Sequence, residues 1–163
     1  MSGIVGNLNQ KSGLLGKPNG TMVFLGIIDS INAAEDTDHL VGTPASHYDL
    51  LGGWSNTDSK YTVPDSGWYH FRCDWESYDQ GNNTGGVRTK IKKNGSTLHE
   101  RYNYIKYSTG YVYDSMRHFG ASTEASCNAS AGDYFQWYLW FKTGNGSNNW
   151  MSHIKMTVFK VNK

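Results

Sequence analysis

Charge is scarce in this chain. Only 18% of its 163 residues are charged, and the formal net charge is +1. That balance gives no electrostatic pull toward nucleic acid or an anionic membrane, so neither is expected as a partner. No apolar run approaches the ~18 residues of a membrane span, so no membrane insertion is expected. The opening MSGIVGNLNQ lacks the basic and apolar regions of a secretory leader, and no signal peptide is expected. Cysteine is confined to Cys73 and Cys127, too few for a disulfide-built scaffold. Cys73 suits a buried thiol, and whether the two pair is left open. No segment carries a 3.6-residue apolar period, which leaves almost no room for helix.

Recognisable catalytic patterns are missing too. There is no G-x-S-x-G elbow and no H-E-x-x-H pair. His39, His47, His70, His99, His118 and His153 lie too far apart for metal-type spacing. No carboxylate pair stands out for glycoside hydrolysis. The expectation is a non-enzymatic protein without a cofactor. Glu35, Asp36 and Asp38 are the one candidate metal loop, since oxygen ligands suit Ca²⁺; the plainer reading is a solvated acidic loop.

What fills the space is Gly, Asn, Ser, Thr and Tyr, with aromatics at 14%, a mix suited to short strands and many turns. The clearest stretch is Tyr61–Trp75, YTVPDSGWYHFRCDW. Pro64, Asp65, Ser66 and Gly67 make a turn. After it, Tyr69, Phe71, Cys73 and Trp75 alternate with Trp68, His70, Arg72 and Asp74, a half-buried strand with an aromatic inner face. In VRTKIKKNG (87–95), Val87, Thr89 and Ile91 point in and Arg88, Lys90 and Lys92 point out. The closing Asn94-Gly95 is a strong hairpin signal. Tyr134–Lys142 puts Phe135, Trp137, Leu139 and Phe141 on one face and Tyr134, Tyr138 and Trp140 on the other. Trp150–Val161 is the closing strand, with Ile154, Met156 and Val158 inside. Many short strands with turns about every ten residues define an all-β sandwich, with a jelly roll of about ten antiparallel strands as the natural candidate.

Two stretches point outward to partners. Thr21–Asp29, TMVFLGIID, is apolar almost throughout, as in a strand covered on both faces. In a small domain that implies a subunit interface, with Met22, Phe24 and Ile27 as its residues. Tyr102–Tyr113 carries Tyr102, Tyr104, Tyr107, Tyr111 and Tyr113. Tyr offers wide contact area at low entropic cost and stacks on sugars. Either these rings form a glycan-recognition surface or they cover the sandwich or a subunit contact. Arg88, Lys90, Lys92 and Lys93 form a small basic face beside aromatics, open to an anionic glycan or RNA, or simply solvated.

The order of motifs resembles the globular-head family of complement subcomponent q, which shares its jelly roll with tumour necrosis factor. Tyr61-Thr62-Val63-Pro64-x-x-Gly67-x-Tyr69-x-Phe71 is similar to the family's F-x-V-P-x-x-G-x-Y-x-F core. VRTKIKKNG resembles its strand ending in K-N-G, Ala131-Gly132-Asp133-Tyr134 its A-G-D turn, and Tyr48-Asp49 its short upstream segment. The last strand departs: Met151-Ser152-His153-Ile154-Lys155 stands where the family has F-S-G-x-L. The resemblance covers about residues 21–161. It implies a ten-stranded, two-sheet jelly roll forming tight homotrimers, with one sheet facing the axis.

Residues 1–20 stand apart from the 21–163 domain. Ser2-Gly3-Ile4-Val5-Gly6 recurs as Ser12-Gly13-Leu14-Leu15-Gly16. The segment has too few apolar residues for a core of its own. It is either a loose tail or an anchor whose Ile4, Val5, Leu14 and Leu15 dock on a partner. The doubled motif resembles N-terminal segments of marine bacteriophage virion proteins. That resemblance implies a virion structural protein, assembled in the host cytoplasm as a capsid-decoration, head-fibre or tail-fibre appendage. In that role residues 1–20 attach it to a capsid or tail protein, and the head either decorates and stabilises the shell or touches host-surface glycan. The alternative is a free lectin-like binding module of the same fold.

Overall fold

A computed structural model describes residues 20–33, 36–78, 85–105, 118–142 and 149–161. Among them lie eleven strands: β1 (Gly20–Ala33), β2 (His39–Leu40), β3 (Ser46–Asp49), β4 (Trp54–Ser55), β5 (Lys60–Thr62), β6 (Gly67–Tyr78), β7 (Gly85–Lys93), β8 (Ser96–Ile105), β9 (His118–Ala129), β10 (Tyr134–Lys142) and β11 (Asn149–Val161). They form a five-stranded sheet in the order β3-β1-β11-β6-β9 and a six-stranded one in the order β4-β5-β10-β7-β8, with β2 also paired to β10. Every described pairing is antiparallel. The chain changes sheet at each connection except the β4–β5 and β7–β8 hairpins. This crossing and recrossing is the jelly-roll path, and it carries no helix among the described residues.

The alternations in the sequence set the faces. Tyr69, Phe71, Cys73 and Trp75 of β6 are buried, as are Val87, Thr89 and Ile91 of β7. Phe135, Trp137 and Leu139 of β10 and Ile154, Met156 and Val158 of β11 complete the same core. Phe71 stacks on Phe135 across the two sheets at 3.7 Å between centroids. The Trp75 indole N–H donates to the buried Thr89 hydroxyl at 2.7 Å, a second link between the sheets. Each buried ring removes enough apolar surface from water to contribute roughly 2–3 kcal/mol.

β1 departs from regular alternation at one point: its register with β11 shifts between Met22 and Phe24. This bulge places Val23 and Phe24 side by side in the core, and Phe24 stacks on Trp54 at 4.9 Å. A fully buried Phe24 has no surface to offer another copy, so its expected interface role is corrected: the ring belongs to the core. Beyond the bulge the alternation resumes, with Gly26 and Ile28 inward and Ile27 outward at 37% exposure. Gly26 is needed for space, because a Cβ there would lie 2.9 Å from both Phe24 and Pro44.

The family-like motifs meet at one end of the sandwich. Ala131-Gly132-Asp133 turns with Gly132 at φ 89° and an Asp133 N–H to Ser130 carbonyl bond, the geometry a type II turn reserves for glycine. The Val63 N–H donates to the Asp133 carbonyl, and the Gly132 N–H returns to the Val63 carbonyl, both at 2.9 Å. The Asp133 carboxylate accepts from Lys93 Nζ (2.8 Å), Asn94 Nδ2 (2.7 Å) and the Ser130 N–H (2.8 Å). Asn94 Oδ1 in turn accepts from the Tyr134 N–H at 2.9 Å. Asn94 and Gly95 take φ 49° and 81°, the left-handed pair a tight hairpin demands. The V-P, K-N-G and A-G-D segments are thus three parts of one backbone clasp.

The departure in the last strand also has a physical form. Register between β11 and β6 shifts between Ser152 and Lys155, and His153 sits in that bulge at φ 51°. Where the resemblance has glycine, this chain holds a non-glycine residue in the left-handed region.

Candidate functional site

Two outward sheet faces present the side chains available to partners. On the five-stranded sheet, β1, β11, β6 and β9 align outward residues in cross-strand rows. Met22, Phe159, His70 and Ser126 form one row, and Leu25, Thr157, Arg72 and Glu124 the next. Tyr48 of β3 extends the second row beside Leu25, and Ile27 lies one row further on, opposite Lys155. Tyr48 and Trp68 are 46% and 43% exposed. This face is apolar at Met22, Leu25, Ile27 and Tyr48, and again at Trp68, and polar at His70, Arg72, Glu124 and Ser126. His70 binds Ser126 Oγ through Nδ1 at 2.8 Å and lies 3.4 Å from Glu124 through Nε2. Arg72 pairs with Asp74. Met22 and Ile27 share this face, and Phe24 lies behind it in the core.

The six-stranded sheet presents a different surface. Register brings Tyr102, Arg88 and Trp140 into one rung across β8, β7 and β10, and Glu100, Lys90 and Tyr138 into the next. Lys92 stands opposite Gln136 one rung further along. The Arg88 guanidinium lies 4.9 Å from the Trp140 ring centroid and the Lys92 ammonium 4.0 Å from that of Tyr138. Lys60 approaches Tyr134 in the same manner at 5.3 Å. Tyr102, 48% exposed, tilts against Trp140 at 5.9 Å. Each cation–ring contact contributes about 0.5–1 kcal/mol at such partly exposed sites.

The sign of charge along this face is uneven. Asp38 gives one carboxylate oxygen to Arg88 at 3.1 Å and the other to Lys90. Burial alone would raise its pKa, but Lys90 and Arg88 together hold it below the usual carboxylate range. Glu100 adds a second carboxylate beside the same two cations. Lys92 pairs with no carboxylate among the described residues.

The residues singled out from sequence fall unevenly on this frame. Tyr102 is on the exposed aromatic face. Tyr104 lies on β8, its side chain outside the described residues, as are Tyr107, Tyr111 and Tyr113 entirely. Ile4, Val5, Leu14 and Leu15 of the leader also lie outside them, as does Glu35. Of the acidic loop, Asp36 is exposed and Asp38 is committed to two protein cations. No group of three His, Cys, Asp or Glu side chains among the described residues is placed to hold a metal. Cys73 and Cys127 are both free thiols, and burial pushes both thiol pKa values up. Tyr138 and Trp140 were missed as candidates. The signal was present, since Tyr134–Lys142 is aromatic on both faces, but the pairing of β10 with β7 that sets these rings beside Arg88 and Lys92 is not written locally.

No protein-family model matches the chain, and no curated protein matches it. Solved structures do. An Eiger tumour necrosis factor from S. frugiperda is 13% identical, with 90% of this chain and 95% of that one covered and a TM-score of 0.50. The globular domain of a zebrafish complement 1qA protein is 12% identical, covering 90% of this chain and 99% of that one, with a TM-score of 0.55. The chain therefore has the two-sheet jelly-roll fold of tumour necrosis factor and complement globular domains. At these identities the likeness defines the fold and leaves function to the surfaces.

Proposed function

We propose that this chain is a homotrimeric, non-enzymatic binding head in which the five-stranded sheets of three copies face a common axis. The observation that carries the reading is the apolar half of that sheet's outer face. Met22, Leu25 and Ile27 of β1 share that face, with Tyr48 of β3 opposite Leu25, on the sheet built from the first and last strands. Large apolar side chains grouped on one outer face are costly in water and mark a contact surface. The resemblance to the complement globular-head family, which implies a tight trimer with one sheet facing the axis, supports the same arrangement. Multi-angle light scattering tests it: three times the 18.3 kDa chain mass is expected, and a monomer refutes it. Ile27→Asp, which places a charge on that face, is expected to shift the mass toward the monomer.

We further propose that the head is a virion structural appendage, attached by residues 1–20 to a capsid or tail protein. The doubled S-G-[IL]-[VL]-G pattern and its resemblance to bacteriophage virion leaders support this placement. A trimer carries three copies of the leader, so effective concentration makes a weak individual anchor firm. Removal of residues 1–20 is expected to leave a folded trimer that no longer enters particles. Undiminished incorporation overturns the anchor.

A further inference from the structure

We propose that the outer face of the six-stranded sheet, at Tyr102, Trp140, Tyr138 and Lys92, binds an acidic oligosaccharide. The inference deepens the binding-head reading and rests on it, but it needs neither the trimer nor the virion placement.

Three features select the ligand. Tyr102 and Trp140 stand together on an outward face at 5.9 Å, and Tyr138 lies two residues from Trp140 along β10, a spacing of about 7 Å. Tyr102 is 48% exposed and offers a stacking plane to the C–H face of a pyranose, whose hydroxyls remain in water, while half-buried Trp140 and Tyr138 carry Arg88 and Lys92 beside it. The charges then choose between neutral and acidic sugars. Arg88 and Lys90 are already neutralised by Asp38 and Glu100. Lys92 pairs with no described carboxylate, and its ammonium is held on the Tyr138 ring. A uronate or sulfate therefore gains a charge-assisted contact at Lys92 without breaking an ion pair. Length supplies the third feature. Lys92 and Arg88 lie four residues apart on β7, about 13 Å, so a ligand reaching from Lys92 to the Tyr102–Trp140 pair spans more than one sugar ring.

The same features disfavour a nucleic acid. Backbone recognition needs several uncompensated cations, and among the described side chains of this face Lys92 stands without a carboxylate while Arg88 and Lys90 are met by two. In the proposed trimer the five-stranded sheet faces the axis, which leaves this opposite face open to solvent.

Titration calorimetry on the full chain tests the site with four probes: hexagalacturonate, a sulfated hexasaccharide, cellohexaose and a ten-nucleotide oligouridylate. At least one acidic hexasaccharide is expected to bind, at least tenfold tighter than cellohexaose and tighter than the oligouridylate. Lys92→Gln and Tyr102→Ala, both on the sheet exterior, are expected to weaken it at least tenfold each, and Tyr48→Ala on the opposite sheet to leave it unchanged. Failure of both acidic probes to bind, equal binding of cellohexaose or the oligouridylate, or an unchanged affinity in Lys92→Gln overturns the proposal. Light scattering on the same samples reads the trimer separately. A trimer that binds neither acidic probe removes the glycan site alone, and a monomer that binds one removes the trimer alone.

Discussion

Asp133 holds one end of the sandwich, and replacing it measures that role. Its carboxylate accepts from Lys93 Nζ, Asn94 Nδ2 and the Ser130 N–H at 2.7–2.8 Å. Those bonds, Lys93 foremost and then Asn94 and Ser130, lower its pKa from 3.8 to about 2. At 1.36 kcal/mol per unit, this shift corresponds to roughly 2 kcal/mol of preferential stabilisation of the ionised form. The bond inventory gives a similar figure. Three hydrogen bonds to an ionised acceptor have a gross value of several kcal/mol, but with the Asp133 side chain 16% and the Lys93 side chain 27% exposed, part is recovered by water. Asp133→Ala is therefore expected to cost about 2–3 kcal/mol at pH 7. The pH dependence follows from the sign of the shift. A depressed carboxylate pKa stabilises the fold above the unfolded value of 3.8 and loses that contribution as pH falls through about 2. Urea unfolding at fixed protein concentration, at pH 7 and at pH 2, measures both effects. Wild type is expected to lose about 2 kcal/mol more than Asp133→Asn between the two pH values. A cost below about 0.5 kcal/mol for Asp133→Ala, or parallel pH profiles for wild type and Asp133→Asn, refutes the clasp as a stabilising element.

Two further substitutions test the packing and the bulge. Phe71→Ala empties the position stacked on Phe135 at 3.7 Å and is expected to cost about 3–5 kcal/mol, read as a lower urea midpoint with an unchanged slope. His153 occupies a left-handed backbone position at φ 51°; His153→Gly is expected to be neutral or stabilising by up to about 1 kcal/mol, and His153→Val to destabilise by more than about 1 kcal/mol. The relative order of these two variants in thermal unfolding decides the point.

The inward half of the fold was legible because period-two alternation is a local signal. Tyr69, Phe71, Cys73 and Trp75 needed only their own neighbours to declare a face, and burial of all four follows. Phe24 departs from its expected side for a physical reason. A bulge inserts an extra residue, so Val23 and Phe24 are buried side by side, and the outer positions Leu25 and Ile27 are apolar as well. The run is apolar on both sides of the strand, and only the side of Phe24 differs from the expectation: it faces the core. The candidate ligand face was legible only in halves. Outward Arg88, Lys90 and Lys92 could be named from β7, and outward Tyr138 and Trp140 from β10. Their meeting depends on a pairing between strands that the sequence separates by β8 and β9, which no local pattern encodes.

That division bears on what the family-like motifs mean. Val63 is bonded through its backbone to Gly132 and Asp133, Asn94 bonds the Asp133 carboxylate and the Tyr134 N–H through its side chain, and Asp49 accepts the Trp54 N–H at 2.7 Å. These residues satisfy polar groups that turns would otherwise leave open. The jelly-roll turns account for them without reference to any ligand. Function must then be carried by positions the clasp does not constrain, namely the outward side chains of the two sheets. The two faces divide in kind: one is apolar over β1 and β3, suited to a second copy of the chain, and the other sets rings beside an uncompensated cation, suited to a polar, negatively charged ligand. A fold whose opposite faces differ in this way can assemble through one and recognise through the other without either role competing for the same residues.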